Sequence, residues 1–306
     1  MDRPVRECAI MRPPWKQLVC SVVLFSAVSS QEQTVVPAVQ SSLDKTQFQV
    51  FLTASGKHDS PVTLDQSKLS VSVDGQPAQI NTLRSAKNDV LLFAVVVDMS
   101  KSDSGSGDSI KKAALQIFQA LSANGNQGYL ALFNDRVAIS DKPAQVSRVQ
   151  KALDTARYGG GTAVFDAIQQ TCTQKLSRAG NPDTPRRVIV LISDGDDNAS
   201  QVTHTASEET AEKEGVAIFS LITESPFAER PRGAHVLKEL SERTGGQAFG
   251  GKSPTAEVAP LLAAVEDQWA LSFVPAQSLN PKLHVLAMKT AEKDIRISAP
   301  AHIFVP

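Results

Sequence analysis

The sequence predicts an α/β protein: a doubly wound, mostly parallel sheet flanked by helices, with a small β-sandwich-like module built from the two flanks. Three observations carry this prediction. Residues 90–97, Val-Leu-Leu-Phe-Ala-Val-Val-Val, form an unbroken apolar run that stops on Asp98. A Val-rich run bounded by polar residues suits a strand covered on both faces. Residues 187–193, Arg-Val-Ile-Val-Leu-Ile-Ser, repeat that plan and stop at Asp194-Gly195. Around these runs, segments with helical apolar spacing alternate with short β-rich ones, which calls for a parallel sheet with helical crossovers.

Taken in order, residues 1–30 read as a secretory signal peptide. Arg12 and Lys16 precede the apolar stretch 18–28, and small residues then lead to Ser30. That stretch is short of the roughly 20 residues a spanning helix needs, so no stable membrane insertion of the mature chain is expected. The expected location is secreted, or periplasmic and cell-envelope. Cys8 and Cys20 fall in the leader, which leaves Cys172 alone in a helical pattern as a buried small hydrophobe. Residues 31–88 alternate in β fashion, notably Phe48–Thr53 and Leu69–Val73, with Asp74-Gly75 as a hairpin turn. They are read as an N-terminal β module, too small for an independent core. Residues 269–306 return to the same alternation at Trp269–Val274, Leu283–Met288 and Asp294–Ile297, and are read as a C-terminal β segment packing with that module.

The α/β domain is read over 89–268. Ile110, Ala113, Ala114, Ile117, Phe118 and Leu121 have helical spacing, Tyr129–Phe133 is a strand, and Arg136–Ile139 is an antiparallel edge. Helices are expected over 146–153 and 163–176, followed by the strand at 188–193. A polar helix at 203–214, a strand at 216–221, a helix at 235–242, a strand at 246–249 and a helix at 257–265 complete the pattern.

Ligands of such sheets gather beyond the carboxyl ends of the strands. Asp98, Ser100 and Ser102 stand there at alternate positions, so their oxygens can converge on one side of an extended segment. Gly159-Gly160-Gly161-Thr162 presents a further hydroxyl ahead of a helix, and Asp194 closes the second buried strand. Two carboxylates and three hydroxyls make an all-oxygen site suited to Mg²⁺, with Mn²⁺ or Ca²⁺ as substitutes. Asp103 and Asp108, in a Gly/Ser-rich loop, are expected to solvate that loop and start a helix rather than add charge near the ion. Asp196-Asp197-Asn198 lacks the spacing of a calcium loop and reads as a turn and helix cap.

Asp98-Met99-Ser100-Lys101-Ser102, Thr162 within Gly-Gly-Thr and Asp194 within Ser-Asp-Gly resemble the metal-ion-dependent adhesion site of von Willebrand factor type A domains, in the family's order. The resemblance covers about residues 88–268. Val71-Ser72-Val73-Asp74-Gly75-Gln76-Pro77 and Asp194-Gly195-Asp196-Asp197-Asn198 are similar to a narrower group, the secreted acidobacterial-type members. The family resemblance implies that Ser100, Ser102 and Thr162 offer hydroxyls directly, while Asp98 and Asp194 act directly or through water. It also implies a protein-binding or adhesion module that recognises the Asp or Glu carboxylate of a partner. The alternative is a structural or assembly component of the envelope whose ion only stabilises the fold.

Other classes find little support. A net charge of -1 over 306 residues argues against nucleic acid or anionic lipid as the main partner. No Gly-x-Ser-x-Gly elbow or His-Glu-x-x-His occurs, and the five histidines are scattered singly. No catalytic residue is therefore assigned, and the chain is not read as an enzyme.

Overall fold

The computed structural model describes residues 46–57, 60, 62–180, 186–223, 232–251 and 253–306. The expected leader lies outside them. The first three strands are β1 (Phe48–Ser55), β2 (Leu69–Val73) and β3 (Gln76–Ser85). The α/β unit then runs β4 (Leu91–Asp98), α1 (Gly107–Leu121), β5 (Gln127–Phe133), β6 (Val137–Ile139), α2 (Val146–Thr155), α3 (Val164–Gln174) and β7 (Arg186–Ser193). It continues with α4 (His204–Glu214), β8 (Val216–Ile222), α5 (Arg232–Arg243), β9 (Ala248–Gly250) and α6 (Val258–Glu266). The chain closes with β10 (Trp269–Pro275), β11 (Lys282–Thr290), β12 (Arg296–Ser298) and β13 (His302–Val305).

The six-stranded sheet has the order β6-β5-β4-β7-β8-β9, parallel except for the β6 edge. Every residue of β4 and β7 is buried, as two-sided cover requires. Phe93, Val95 and Val97 join the core under α1, α2 and α6, while Leu92, Ala94 and Val96 join the one under α3, α4 and α5. Phe93 meets Phe118 at 5.2 Å between ring centres. Burying one such ring contributes about 1.5–3 kcal/mol. Cys172 is fully buried in the second core, and burial pushes its thiol up. From β4 the chain winds outward to β5 and β6, then returns to build β7, β8 and β9 on the other side. The crevice between the ends of β4 and β7 is thus the topological switch point.

The flanks form one curled antiparallel sheet, order β12-β1-β10-β3-β2-β11-β13, closed around Leu52, Val71, Val73, Leu271 and Phe273. Strand β10 lies between β1 and β3, so neither flank completes this sheet alone. Asp74 and Gly75 turn β2 into β3 with φ of 49° and 78°, the positive values of the tight hairpin turn expected there. Ser85 stands opposite Trp269, bringing the entry and exit of the α/β unit side by side. Arg186, buried at the start of β7, ties both: its guanidinium donates to the Ala86 carbonyl at 2.9 Å and the Val265 carbonyl at 2.5 Å.

Candidate metal centre

Asp98 is the last residue of β4 and Ser193 the last of β7, so the parallel pairing brings Asp98 and Asp194 to one edge. The Ser193 hydroxyl donates to Asp98 Oδ2 at 2.6 Å and accepts the Gly195 N–H at 3.0 Å. The Ser100 N–H donates to Asp98 Oδ1 at 2.8 Å, which folds the chain back over the carboxylate. Ser100 and Ser102 hydroxyls then lie 3.0 Å apart. The loop carrying Thr162 docks on the same edge. Gly159 N–H donates to the Met99 carbonyl at 2.8 Å, Asn134 Nδ2 to the Gly159 carbonyl at 3.0 Å, and Thr162 N–H to Asn198 Oδ1 at 3.0 Å.

The stretch 196–198 acts as turn and cap. Asn198 braces Thr162, and Asp197 Oδ2 accepts from Ser200 Oγ at 2.5 Å while Ser200 Oγ accepts the Phe165 and Asp166 N–H groups that open α3. Asp196 Oδ1 accepts the Gly233 N–H from the first turn of α5.

Asp103 departs from expectation. It does not solvate its loop: the turn at Ser102–Ser106 drives its side chain inward, leaving it 1 % exposed, and Thr223 Oγ1, just beyond β8, donates to its Oδ1 at 2.5 Å. Asp108 does sit exposed in the first turn of α1. One carboxylate oxygen from each of Asp98, Asp103 and Asp194 lies within 4.8 Å of the other two. The structure therefore gathers both predicted acids, adds a third, and sets the Ser100–Ser102 hydroxyl pair and the Thr162 loop beside them. Ser193 and Thr223, which hold two of the acids, were not singled out from the sequence. Ser193 could have been, because it ends the repeated buried run, whereas nothing local marks Thr223.

Crowding shows in the protonation of these groups. Burial pushes the Asp98 carboxyl up to about 6 against the hydrogen bonds from Ser193 and Ser100. Burial, then the charge of Asp98, pushes Asp103 up to about 8. Asp103 Oδ2 and Asp194 Oδ2 are buried with no hydrogen-bond partner among the described residues. Buried polar atoms are rarely left so, and three clustered acids need a proton or a cation between them. Oxygen donors only, two of them orphaned, fit a hard divalent cation.

A second ligand-type group among the described residues, Glu208, Glu212 and His302, is already satisfied internally. His302 Nδ1 lies 2.7 Å from Glu212 Oε2, and Arg243 Nε donates to Glu208 Oε1 at 2.5 Å.

The family model for the von Willebrand factor type A domain matches residues 93–255. No curated protein matches the chain. Among solved structures, a von Willebrand factor type A protein from Catenulispora acidiphila aligns at 9% identity and a TM-score of 0.48, over 85% of this chain and 73% of its own. An aerotolerance-related membrane protein from Bacteroides fragilis aligns at 13% and 0.46, over 57% and 98%. Proximal thread matrix protein 1 from the mussel byssus aligns at 20% and 0.47, over 58% and 48%.

Proposed function

The chain belongs to the von Willebrand factor type A domain family, and from that premise we propose that it is a cation-dependent protein-interaction module, secreted or held in the cell envelope, that recognises an Asp or Glu carboxylate on a partner. The observation that carries the reading is the acid cluster at the switch point with its orphaned buried oxygens. Asp98, Ser100, Ser102, Thr162 and Asp194 are the residues assigned to hold the ion, Mg²⁺ in the first instance. A bound divalent ion would supply the positive charge that the cluster lacks and a coordination position open to an oxygen from outside. The protein's own work is positioning. Ser193 and the Ser100 N–H fix both oxygens of Asp98, the Asp196 N–H fixes one oxygen of Asp194 at 3.0 Å, and Asn198 fixes the backbone at Thr162. We read the module as non-catalytic: the cluster holds no histidine, and the Ser100 and Ser102 hydroxyls lie against each other. No helix among the described residues is long and apolar enough to cross a membrane.

A second reading, a structural component whose ion serves only the fold, is favoured by Asp103, because a third buried acid beside the other two supplies charge to the ion from within the chain. Thermal melts test the site. Mg²⁺ at about a hundred times its Kd should stabilise the protein by about 2.7 kcal/mol, and Asp98→Ala should lose the response. A midpoint indifferent to Mg²⁺ and EDTA would remove both readings. EDTA-reversible binding of a peptide bearing one Asp, absent for its Asn counterpart, then separates partner recognition from a purely structural ion.

A further inference from the structure

We infer that Asp103 is a third carboxylate ligand of this cation site, supplied by the chain itself. The inference rests on the cation-site reading above and deepens it.

Four observations converge on Asp103. It is 1 % exposed, which a solvating loop acid would not be. Its Oδ1 is taken by the Thr223 hydroxyl at 2.5 Å, which fixes the plane of the carboxylate and leaves Oδ2 buried and unpartnered. One of its oxygens lies within 4.8 Å of oxygens from both Asp98 and Asp194, a spread that Ca²⁺, with oxygens at about 2.3–2.6 Å, can bridge and that Mg²⁺, at about 2.0–2.1 Å, would draw inward. Finally, Asp194 carries the matching orphaned oxygen, so two unsatisfied acceptors belong to one cluster rather than to separate defects. A buried carboxylate facing two others is repulsive unless a proton or a cation is shared, and the hydrogen bond from Thr223 orients it without neutralising it.

The consequence is a resting site charged differently from one with two acids. Asp98, Asp103 and Asp194 together carry three negative charges when ionised, and one divalent ion leaves the set negative. The chain then supplies more negative charge than the ion carries, which favours tight retention of the ion and disfavours a further carboxylate. A partner's acid must compete with Asp103 for the ion.

The test is isothermal titration of the protein with Mg²⁺ and with Ca²⁺, paired with thermal melts in EDTA, for the parent, Asp103→Asn, Asp103→Met and Asp108→Asn. Asp103→Asn keeps the shape of the side chain, Asp103→Met keeps the site apolar should the amide misorient, and Asp108→Asn removes an exposed acid nearby. Both Asp103 variants should bind the cations about 10- to 100-fold more weakly or worse. Both should also melt higher than the parent in EDTA above about pH 8, where the parent's Asp103 has lost its proton and faces the other two acids uncompensated. Asp108→Asn should match the parent in both measurements. Parent binding with unchanged affinity in both Asp103 variants would overturn the assignment while leaving the cation site standing. No binding of either ion to the parent would overturn the cation site and Asp103's role together.

Discussion

A carboxylate at the end of a fully buried strand stays charged only by virtue of what faces it, and at Asp98 the facing groups are two donors and two further acids. The cation-free protein should therefore show an unusual dependence on pH. The folded values of Asp98 and Asp103, about 6 and about 8, lie above the ordinary 3.8. Above about pH 4 the unfolded chain releases protons that the folded chain still holds, so their contribution to stability is fullest below that pH. It is lost as the pH rises through about 6 and then about 8. In EDTA the melting midpoint should fall between about pH 5 and about pH 8, and saturating Mg²⁺ should flatten or reverse the fall. Asp74, held below the usual carboxylate range by its hydrogen bond with His284, titrates beneath this window and does not mask the effect. A midpoint in EDTA that climbs across the interval would contradict this account of the cluster. At this scale the sequence was readable where geometry is local. Asp98, Ser100 and Ser102 stand out as alternate polar residues after a buried strand, although a turn through Lys101, and not extended chain, is what brings the Ser100 and Ser102 hydroxyls together. Asp103 was not, since Gly and Ser around it read as a solvated loop, and the hydroxyl that meets it once turned inward belongs to Thr223, 120 positions away.

Among the elements, β4 and β7 were legible because burial on both faces leaves an apolar run that no other structure of that length explains. The support behind the site was less so, and it depends on α5. Gly195, with φ of 80°, and Gly233 in the first turn of α5 touch backbone to backbone: a Cβ on Gly233 would lie 2.4 Å from the Asp194 carbonyl oxygen, and one on Gly195 would lie 2.5 Å from the Gly233 carbonyl oxygen. The Gly233 N–H also donates to Asp196. The helix therefore clamps the acid-bearing loop from behind, through residues with no side chain to announce it. Gly233→Ala should cost about 1–3 kcal/mol as the two backbones part, and it should weaken cation binding although residue 233 is not assigned to hold the ion. Titration calorimetry and EDTA melts of that variant check both effects, and cation affinity equal to the parent's would show that the loop holds its shape without α5. Polar α4 hid its contribution for the opposite reason. The segment reads only as a polar helix, yet its Glu208 and Glu212 are both buried against Arg243 and His302.

For the molecule as a whole, strand alternation at both ends of the sequence foretold β structure in the flanks, and the curled sheet interleaves them. What alternation could not reveal is how that sheet is fastened to the α/β unit, because each fastening pairs residues far apart in the chain. Arg186 binds carbonyls on both crossings. Thr53 Oγ1 donates to the Gly245 carbonyl at 2.8 Å, Ala301 N–H to the Arg243 carbonyl at 2.7 Å, and the His302 N–H and imidazole both engage the buried Glu212 carboxylate. Such a joint should make the two sheets unfold together, although the acid cluster lies at the end of β4 and β7 opposite Arg186, which opens β7 at the joint. Trp269 offers a probe, since it stands on the flank sheet and Trp15→Phe leaves it the only indole. In that variant, indole fluorescence and far-UV circular dichroism should melt at one midpoint, and Mg²⁺ should raise both by the same amount. His302→Ala should lower both together by about 1–3 kcal/mol, toward the lower end because the imidazole is 25 % exposed while the carboxylate it leaves behind is buried. A fluorescence transition that runs ahead of the helical one and ignores the cation would mean that the sheets are separate units, so that an ion at the site could carry no influence to the flank sheet. A shared transition would mean that occupancy at the switch point bears on the stability of the whole chain, and that the Glu212 and His302 contact is part of how it does so.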